Sequence, residues 1–178
     1  MATPDITFRP FTRVDFPLFA HWLLKPHVAK WYRDPEDRDV EAVYGPTIDG
    51  TDPTDVFIVE LDRRPIGLIQ RYRLRDNPEW EETLALHLDI PLASIDYLIG
   101  DPTLVGKGLG SAVIRAFCPL LFARYPEVEG IAVGLQQENV ASWRCLEKAG
   151  FTRVREGVLE SDDPSDSGPA YVYLLKRP

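Results

Sequence analysis

The spacing of apolar and polar positions changes along the chain, and each change marks an element. Residues 6–11 alternate as a first strand does, and Thr12 with Asp15 three positions later has the form of a capping box opening a helix. Phe16, Phe19, Ala20, Leu23 and Leu24 then recur at helical spacing on one face, with Pro17 tolerated near the first turn. Short helices are predicted over residues 27–32 and 37–44, and the Gly/Pro/Asp/Thr stretch at 45–54 predicts a loop. Residues 56–61, a turn at 62–65 and residues 66–74 read as an antiparallel hairpin, after which the polar stretch 75–82, containing Asn77-Pro78, leaves the sheet. Residues 94–100 return as a strand with Ile95, Tyr97 and Ile99 on one side and Asp96 and Leu98 on the other, which places a carboxylate in an apolar strand.

The strongest helix spans residues 107–125, with Leu109, Val113, Phe117, Leu120 and Leu121 as its apolar face. A buried strand at 130–135, a helix at 139–149 closed by Gly150, and strands at 151–159 and 171–175 complete the pattern. The elements predict an α+β fold: a mixed, mostly antiparallel sheet with helices on both faces, in a single domain covering residues 1–178.

Composition narrows the partners. The 178 residues are 44% hydrophobic and 27% charged, as in an ordinary soluble domain. Lys and Arg number 20 against 28 Asp and Glu, a net charge of −8 that disfavours nucleic acid and leaves room for a cationic partner. The acids are unevenly placed: from Asp76 to Asp101 there are seven, namely Asp76, Glu79, Glu81, Glu82, Asp89, Asp96 and Asp101, and no Lys or Arg. Cys118 and Cys145 are too few for a disulfide framework and suggest a reducing, cytoplasmic setting. His21, His27 and His87 lack metal-ligand spacing with them, so no metal is expected. The N-terminus has no signal-peptide pattern, and the most apolar stretch, 111–123, is broken by Arg115 and Pro119, so no membrane partner is expected.

The densest chemical signal is Val105-Gly106-Lys107-Gly108-Leu109-Gly110, between a strand and the long helix. Glycines there let backbone N–H groups approach an anion, and the helix N-terminus adds partial positive charge, which suits a pyrophosphate. The spacing fits neither a Walker A loop nor the dinucleotide fingerprint G-x-G-x-x-G. A glycine-rich turn without ligand is the alternative.

That loop resembles the acyl-CoA loop of the GNAT superfamily of N-acetyltransferases, with Val105 departing from the usual Gln or Arg. The resemblance extends to the aminoglycoside 6′-N-acetyltransferases through Trp22-Leu23, His27-Val28 and Trp31, through Pro65-Ile66-Gly67 with Gln70 and Tyr72, and through Trp80-Glu81-Glu82. It continues with Ile95-Asp96, Asn139, the run from Arg144 to Phe151, and Gly168-Pro169-Ala170. It implies acetyl-CoA in a splayed V between the strand ending near Gly100 and the strand at 130–135. Val105, Gly106, Lys107, Gly108, Leu109, Gly110 and Ser111 would hold the pyrophosphate, Leu98 and Ile99 the pantetheine, and Asn139 would flank the thioester.

The implied reaction is a direct ternary-complex transfer of acetyl to a primary amine of an aminoglycoside-like cation, by a monomer or homodimer. Asp96 would bind the ammonium and pass on its proton, the alternative being an ion pair with Arg71 or Arg73, and the N–H of Leu98 or Ile99 would polarise the acetyl carbonyl. Trp31, Tyr32, Gln70, Tyr72, Trp80 and Glu81, with Asp96, would line the acceptor pocket, although Trp22 and Trp31 equally suit core packing. Two positions depart from the family: Leu146 stands where a tyrosine usually serves as general acid, and Gly134 where the relatives tend to carry an aspartate facing substrate. Tyr97, Tyr171, Tyr173 or water could replace that acid. Lys148 reads as a surface charge at a helix end and Cys145 as a packed thiol. Other acceptors compatible with the fold are a siderophore precursor, a lysine derivative, a polyamine or a protein amine. A non-catalytic acyl-CoA sensor is a reading from a different class, motivated by Leu146.

Overall fold

The periodicities above resolve, in a computed structural model that describes residues 5–32 and 39–178, into seven strands and six α-helices among those residues. In chain order they are β1 (Ile6–Pro10), α1 (Phe16–Leu23), α2 (Pro26–Ala29), α3 (Val40–Ile48), β2 (Asp55–Leu61), β3 (Arg64–Arg73), α4 (Pro78–Leu84), β4 (Leu92–Ile99), α5 (Leu109–Arg124), β5 (Gly130–Gln136), α6 (Val140–Lys148), β6 (Thr152–Leu159) and β7 (Gly168–Lys176). The strands hydrogen-bond in the order β1-β2-β3-β4-β5-β7-β6. Pairs β1–β2, β5–β7 and β6–β7 are antiparallel and β4–β5 is parallel, the mixed and mostly antiparallel α+β sheet that the pattern predicts. Contacts divide the chain into two units, Met1–Gln70 with Asp96–Lys107, and Arg71–Ile95 with Gly108–Pro178.

In the first unit the hairpin turns on Asp62 and Arg63, both left-handed at φ 49° and 64°. Two such residues give a turn whose twist matches that of the flanking strands. The capping box opens a single 3-10 turn (Arg13–Asp15) ahead of α1, and in it the Thr12 N–H donates to Asp15 Oδ2 at 2.9 Å. Asp15 is held further by Arg9, whose Nη2 donates to Oδ1 at 2.7 Å, while Arg9 Nε donates to Glu60 at 2.9 Å. Phe11, Phe19 and Tyr44 meet edge to face in the core. Leu24, expected on the apolar face of α1, is 54% exposed because it lies beyond the last helical turn.

The third helix differs from its expected bounds. Its first predicted residues, 37 and 38, lie outside the described residues, and the helix runs on through Gly45-Pro46 to Ile48. Proline there removes only the bond to the Ala42 carbonyl. The end is closed by Asp49 N–H to Gly45 O at 2.9 Å and Thr51 N–H to Pro46 O at 2.9 Å.

In the second unit, β7 lies between β5 and β6 and matches β5 over seven residue pairs, Gly130↔Lys176 to Gln136↔Ala170. Helix α5 starts two residues later than expected, since Gly108 at φ 79° is its N-cap. Its buried stripe centres on Ile114 and Leu121 and widens toward Cys118 and Phe122, so Leu120 lies at the edge, 46% exposed. Burial pushes the Cys118 thiol up to about 12. The C-terminus of α5 is capped from the end of the chain. Arg177 donates to the carbonyls of Tyr125 and Val128, each at 2.7 Å, where the helix dipole favours a cation. Helix α4, read from sequence only as a departure from the sheet, begins with Pro78 at its first position and ends at Ala85 in the left-handed conformation, φ 48°.

Asp15 gives a pH test. Burial opposes its ionisation, but the hydrogen bonds from Arg9 and Thr12 outweigh that and hold the carboxyl below its usual value. Its stabilisation is therefore present above about pH 4 and lost as pH falls through the lower folded-state value. Asp15→Asn is expected to cost about 1 kcal/mol at pH 7, a drop in Tm of about 2–4 °C, and the gap to the parent should narrow progressively as pH falls below about 4 in thermal melts.

Candidate active site

The C-terminal half of β4 is held by contacts within the first unit. A Cβ on Gly67 of β3 would stand 2.1 Å from the Leu98 carbonyl oxygen, so only glycine allows β3 to pass there. A Cβ on Gly100 would stand 2.2 Å from the ring of Trp22, which α1 contributes. His27 Nε2 lies 2.8 Å from the Ile99 carbonyl, and since that oxygen can only accept, the Nε2–H donates. The Gly100 N–H donates to Ile66 O at 2.8 Å. Between these fixings Asp96, half-buried, accepts from Gln70 Nε2 at 2.7 Å.

After β4, Asp101 caps a single 3-10 turn (Pro102–Leu104), accepting from the Thr103 N–H at 2.9 Å and hydroxyl at 2.6 Å. Those bonds, with Arg64 and Lys107 nearby, lower its pKa. Val105, Gly106 and Lys107 follow, all exposed.

The second unit takes up the loop at Gly108. Gly106 and Gly108 have φ of 77° and 79° and nothing within 4 Å of an added Cβ, so conformation, and not crowding, selects glycine at both. Gly110 is different: a Cβ there would meet Cys145 Sγ at 2.8 Å, so the start of α5 lies against α6. Ser111 Oγ donates to Gly108 O at 3.0 Å. Asn139 caps α6, accepting from Ser142 N–H at 3.3 Å, and Arg115 of α5 donates to the Lys148 carbonyl at 3.0 Å. Left-handed glycines opening a 16-residue helix form a set of backbone donors suited to an anion.

Leu146 is fully buried on α6. On β7 the Tyr173 hydroxyl donates to Glu147 Oε1, on the residue after Leu146, at 2.9 Å and accepts from Arg153 Nε at 3.2 Å. Burial raises its pKa. Tyr171 lies under the Arg153 guanidinium, 3.7 Å from ring centre to Cζ. Tyr72 is buried in an apolar cluster with Leu84, Leu159 and Val172, against which Trp80 packs, and Glu81 is exposed.

A family description reading acetyltransferase (GNAT) domain matches residues 12–159. The chain is a GNAT acetyltransferase. Aminoglycoside N(6′)-acetyltransferase type 1 of Klebsiella pneumoniae is 33% identical to it over 178 residues, which take in 97% of this chain and 83% of that protein. The solved structure of AAC(6′)-Ib in complex with paromomycin and acetyl-CoA is 30% identical with a TM-score of 0.81, covering 97% of this chain and 94% of that one. AAC(6′)-Ib with coenzyme A and kanamycin is also 30% identical, with a TM-score of 0.79 over 97% and 95% of the two chains.

Within this GNAT acetyltransferase, the first unit contains Asp96, Leu98, Ile99, Gln70, Val105, Gly106 and Lys107, and brings Gln70 and Asp96 into direct contact. Trp31 and Tyr32 follow α2 there, Trp31 with Lys30 Nζ over its ring at 4.5 Å and Tyr32 packed on the core. The second unit contains Gly108, Leu109, Gly110, Ser111, Asn139, Tyr72, Trp80 and Glu81. Arg73, one candidate partner of Asp96, is bound to Asp76 at 2.7 Å and approaches Glu127 at 3.5 Å. Sequence reasoning gave no role to His27 or Gly67. Both lie in segments matched to the family, and only the strand geometry shows what they hold. Gly67→Ala is expected to drive β3 from the Leu98 carbonyl at a cost of about 1–3 kcal/mol, read as a lower Tm together with a raised acetyl-CoA Kd.

Proposed function

We propose that this GNAT acetyltransferase moves the acetyl group of acetyl-CoA directly to a primary amine of an aminoglycoside, the 6′-amine by likeness to its relatives. The observation that carries the reading is Asp96: a carboxylate fixed on β4 by Gln70, ten residues before Gly106, in a chain alike from end to end to enzymes named for this reaction.

Acetyl-CoA supplies the thioester, and its pyrophosphate fits the loop, where Gly106 and Gly108 leave open space around left-handed backbone at the start of α5. Asp96 binds the acceptor ammonium and takes its proton, freeing the lone pair for attack on the thioester carbonyl. The backbone N–H of Leu98 or Ile99 stabilises the charge gathering on that carbonyl oxygen, a contribution of about 2.7–4 kcal/mol per donor in such sites. Tyr173 spends its proton on Glu147, so we assign it no part in protonating the leaving sulfur. A thiol with an ordinary pKa near 8.5 leaves with water as its proton source. We place the enzyme in a reducing cytoplasm on the strength of its two free cysteines, acting as a monomer or homodimer.

Thiol release from acetyl-CoA, followed over kanamycin, spermidine, lysine and N-hydroxylysine, tests the acceptor. Turnover with a lysine derivative or spermidine but not kanamycin sinks the aminoglycoside reading, and acetyl-CoA binding without any turnover favours the sensor. Asp96→Asn is expected to lower kcat by about 10²–10⁴ while leaving the acetyl-CoA Kd within about twofold; unchanged turnover removes Asp96 from the mechanism. Of the acids from Asp76 to Asp101, Asp76 pairs with Arg73 and Asp101 with Arg64. The exposed Glu79, Glu81, Glu82 and Asp89 should still draw a polycation, so kanamycin KM is expected to rise with ionic strength between about 20 and 300 mM salt, roughly the range over which screening becomes strong.

A further inference from the structure

The peptide unit joining Ile99 to Gly100 is held at both of its polar ends by elements of the first unit. Its Gly100 N–H donates to Ile66 O at 2.8 Å, toward β3, and its Ile99 carbonyl accepts from His27 Nε2 at 2.8 Å. A trans peptide carries its N–H and C=O on opposite edges, so the Ile99 carbonyl and His27 lie on the side of β4 away from β3. An extended residue turns its own N–H and C=O the same way, which puts the Ile99 N–H on that side too. Leu98 is turned the other way: its carbonyl faces Gly67 of β3, and its N–H follows. Of these two amides, Ile99 is the one that the sheet does not turn toward β3.

On that side of Ile99 the backbone is mixed in charge. The amide hydrogen is a partial positive charge, and the carbonyl oxygen beside it is a partial negative one that repels a developing oxyanion. A donor placed on the oxygen offsets the repulsion. His27 is that donor, and its half-buried imidazole is carried on a fixed platform. Pro26 opens α2 with φ already suited to a helix, the Val28 N–H donates to Lys25 O at 2.9 Å, and Val28 is buried in the same cluster as Trp22 and Leu98. Core packing thus sets where the ring lies.

We propose that His27 is a positioning residue for acetyl transfer: by donating to the Ile99 carbonyl it holds the Ile99 N–H toward the thioester oxygen and cancels the competing negative end beside it. This rests on the transfer mechanism proposed above, selects Ile99 over Leu98 as the polarising amide, and gives the imidazole no proton to transfer.

His27→Leu keeps bulk and deletes the donor, whereas His27→Gln keeps an amide N–H at similar reach. With kanamycin as acceptor, His27→Leu is expected to lower kcat about tenfold or more while the acetyl-CoA Kd stays within about twofold, and His27→Gln to recover most of the loss. The infrared stretch of the carbonyl in bound, isotope-labelled acetyl-CoA gives a readout that needs no acceptor. It should lie at lower frequency in the parent and His27→Gln than in His27→Leu, where it returns toward the value of free acetyl-CoA. A parent-like kcat in His27→Leu overturns the inference. So do equal losses in the two variants, or a stretch that does not change between the parent and His27→Leu, which assigns His27 to packing. Should His27→Leu not fold, His27→Asn, whose amide stops short of the carbonyl, takes its place in the same comparison. If the parent does not acetylate kanamycin, the aminoglycoside reading falls, and the carbonyl stretch still decides this one.

Discussion

The position of the Leu98 carbonyl is the constraint from which the first unit's part of the site follows. Its distance to β3 is set by the bare backbone of Gly67, where a methyl group would occupy space 2.1 Å from that oxygen. One residue further, His27 donates to the Ile99 carbonyl, and one further still Trp22 lies flat against Gly100. Three consecutive residues are thus each fixed by a different element, and the N–H groups and the Asp96 carboxylate beside them inherit that rigidity. A reaction that depends on backbone donors needs this, because those donors cannot adjust by changing rotamer.

The glycines show how one residue type answers different demands. At 106 and 108 the demand is a left-handed φ in open space; at 110 it is room for Cys145; at 134 it is room for Leu84. The tolerated substitutions differ accordingly. Asparagine can take a left-handed φ, so 106 and 108 tolerate it better than alanine, whereas at 110 and 134 any side chain displaces a neighbour. The sequence motif records all of these with the same letter.

The fold was legible wherever burial followed a simple period. The hairpin, the strand before the glycine loop, α5 and α6 all lie close to their expected positions, because a hydrophobic face tied to one period leaves little freedom. What escaped was set by neighbours. Leu120 belongs to the expected face of α5 but the helix is turned toward Ile114 and Cys118, a rotation that no single-helix pattern encodes. Helix α3 continues through Pro46 since a short helix loses one bond there and regains its end from Asp49 and Thr51. Helix α4 was hidden by Asn77-Pro78, a pair that signals a turn and also starts a helix. In the site, Asp96 stood out as a charge in an apolar strand, whereas His27 and Gly67 act through backbone oxygens, and a partner that is main chain leaves no mark on the sequence.

Leu146 is where composition and mechanism have to be weighed together. A side chain with no exposed surface on α6 contributes packing, and burying a leucine instead of a tyrosine avoids the need to satisfy a hydroxyl there. The Tyr173 phenol on β7 is tied into Arg153 and Glu147 and is held protonated by burial, so it stabilises the joint between α6, β6 and β7. In the proposed mechanism, proton delivery to the leaving sulfur is then the step least supported by side chains, while proton removal from the amine is the step assigned to Asp96. With a leaving thiol whose pKa is near 8.5, bulk water suffices near neutrality, and the rate should depend more on how well the amine is deprotonated than on how the sulfur is protonated. That ordering places the selective pressure on the contacts that hold Asp96, Gln70 among them, and leaves position 146 free to serve the core.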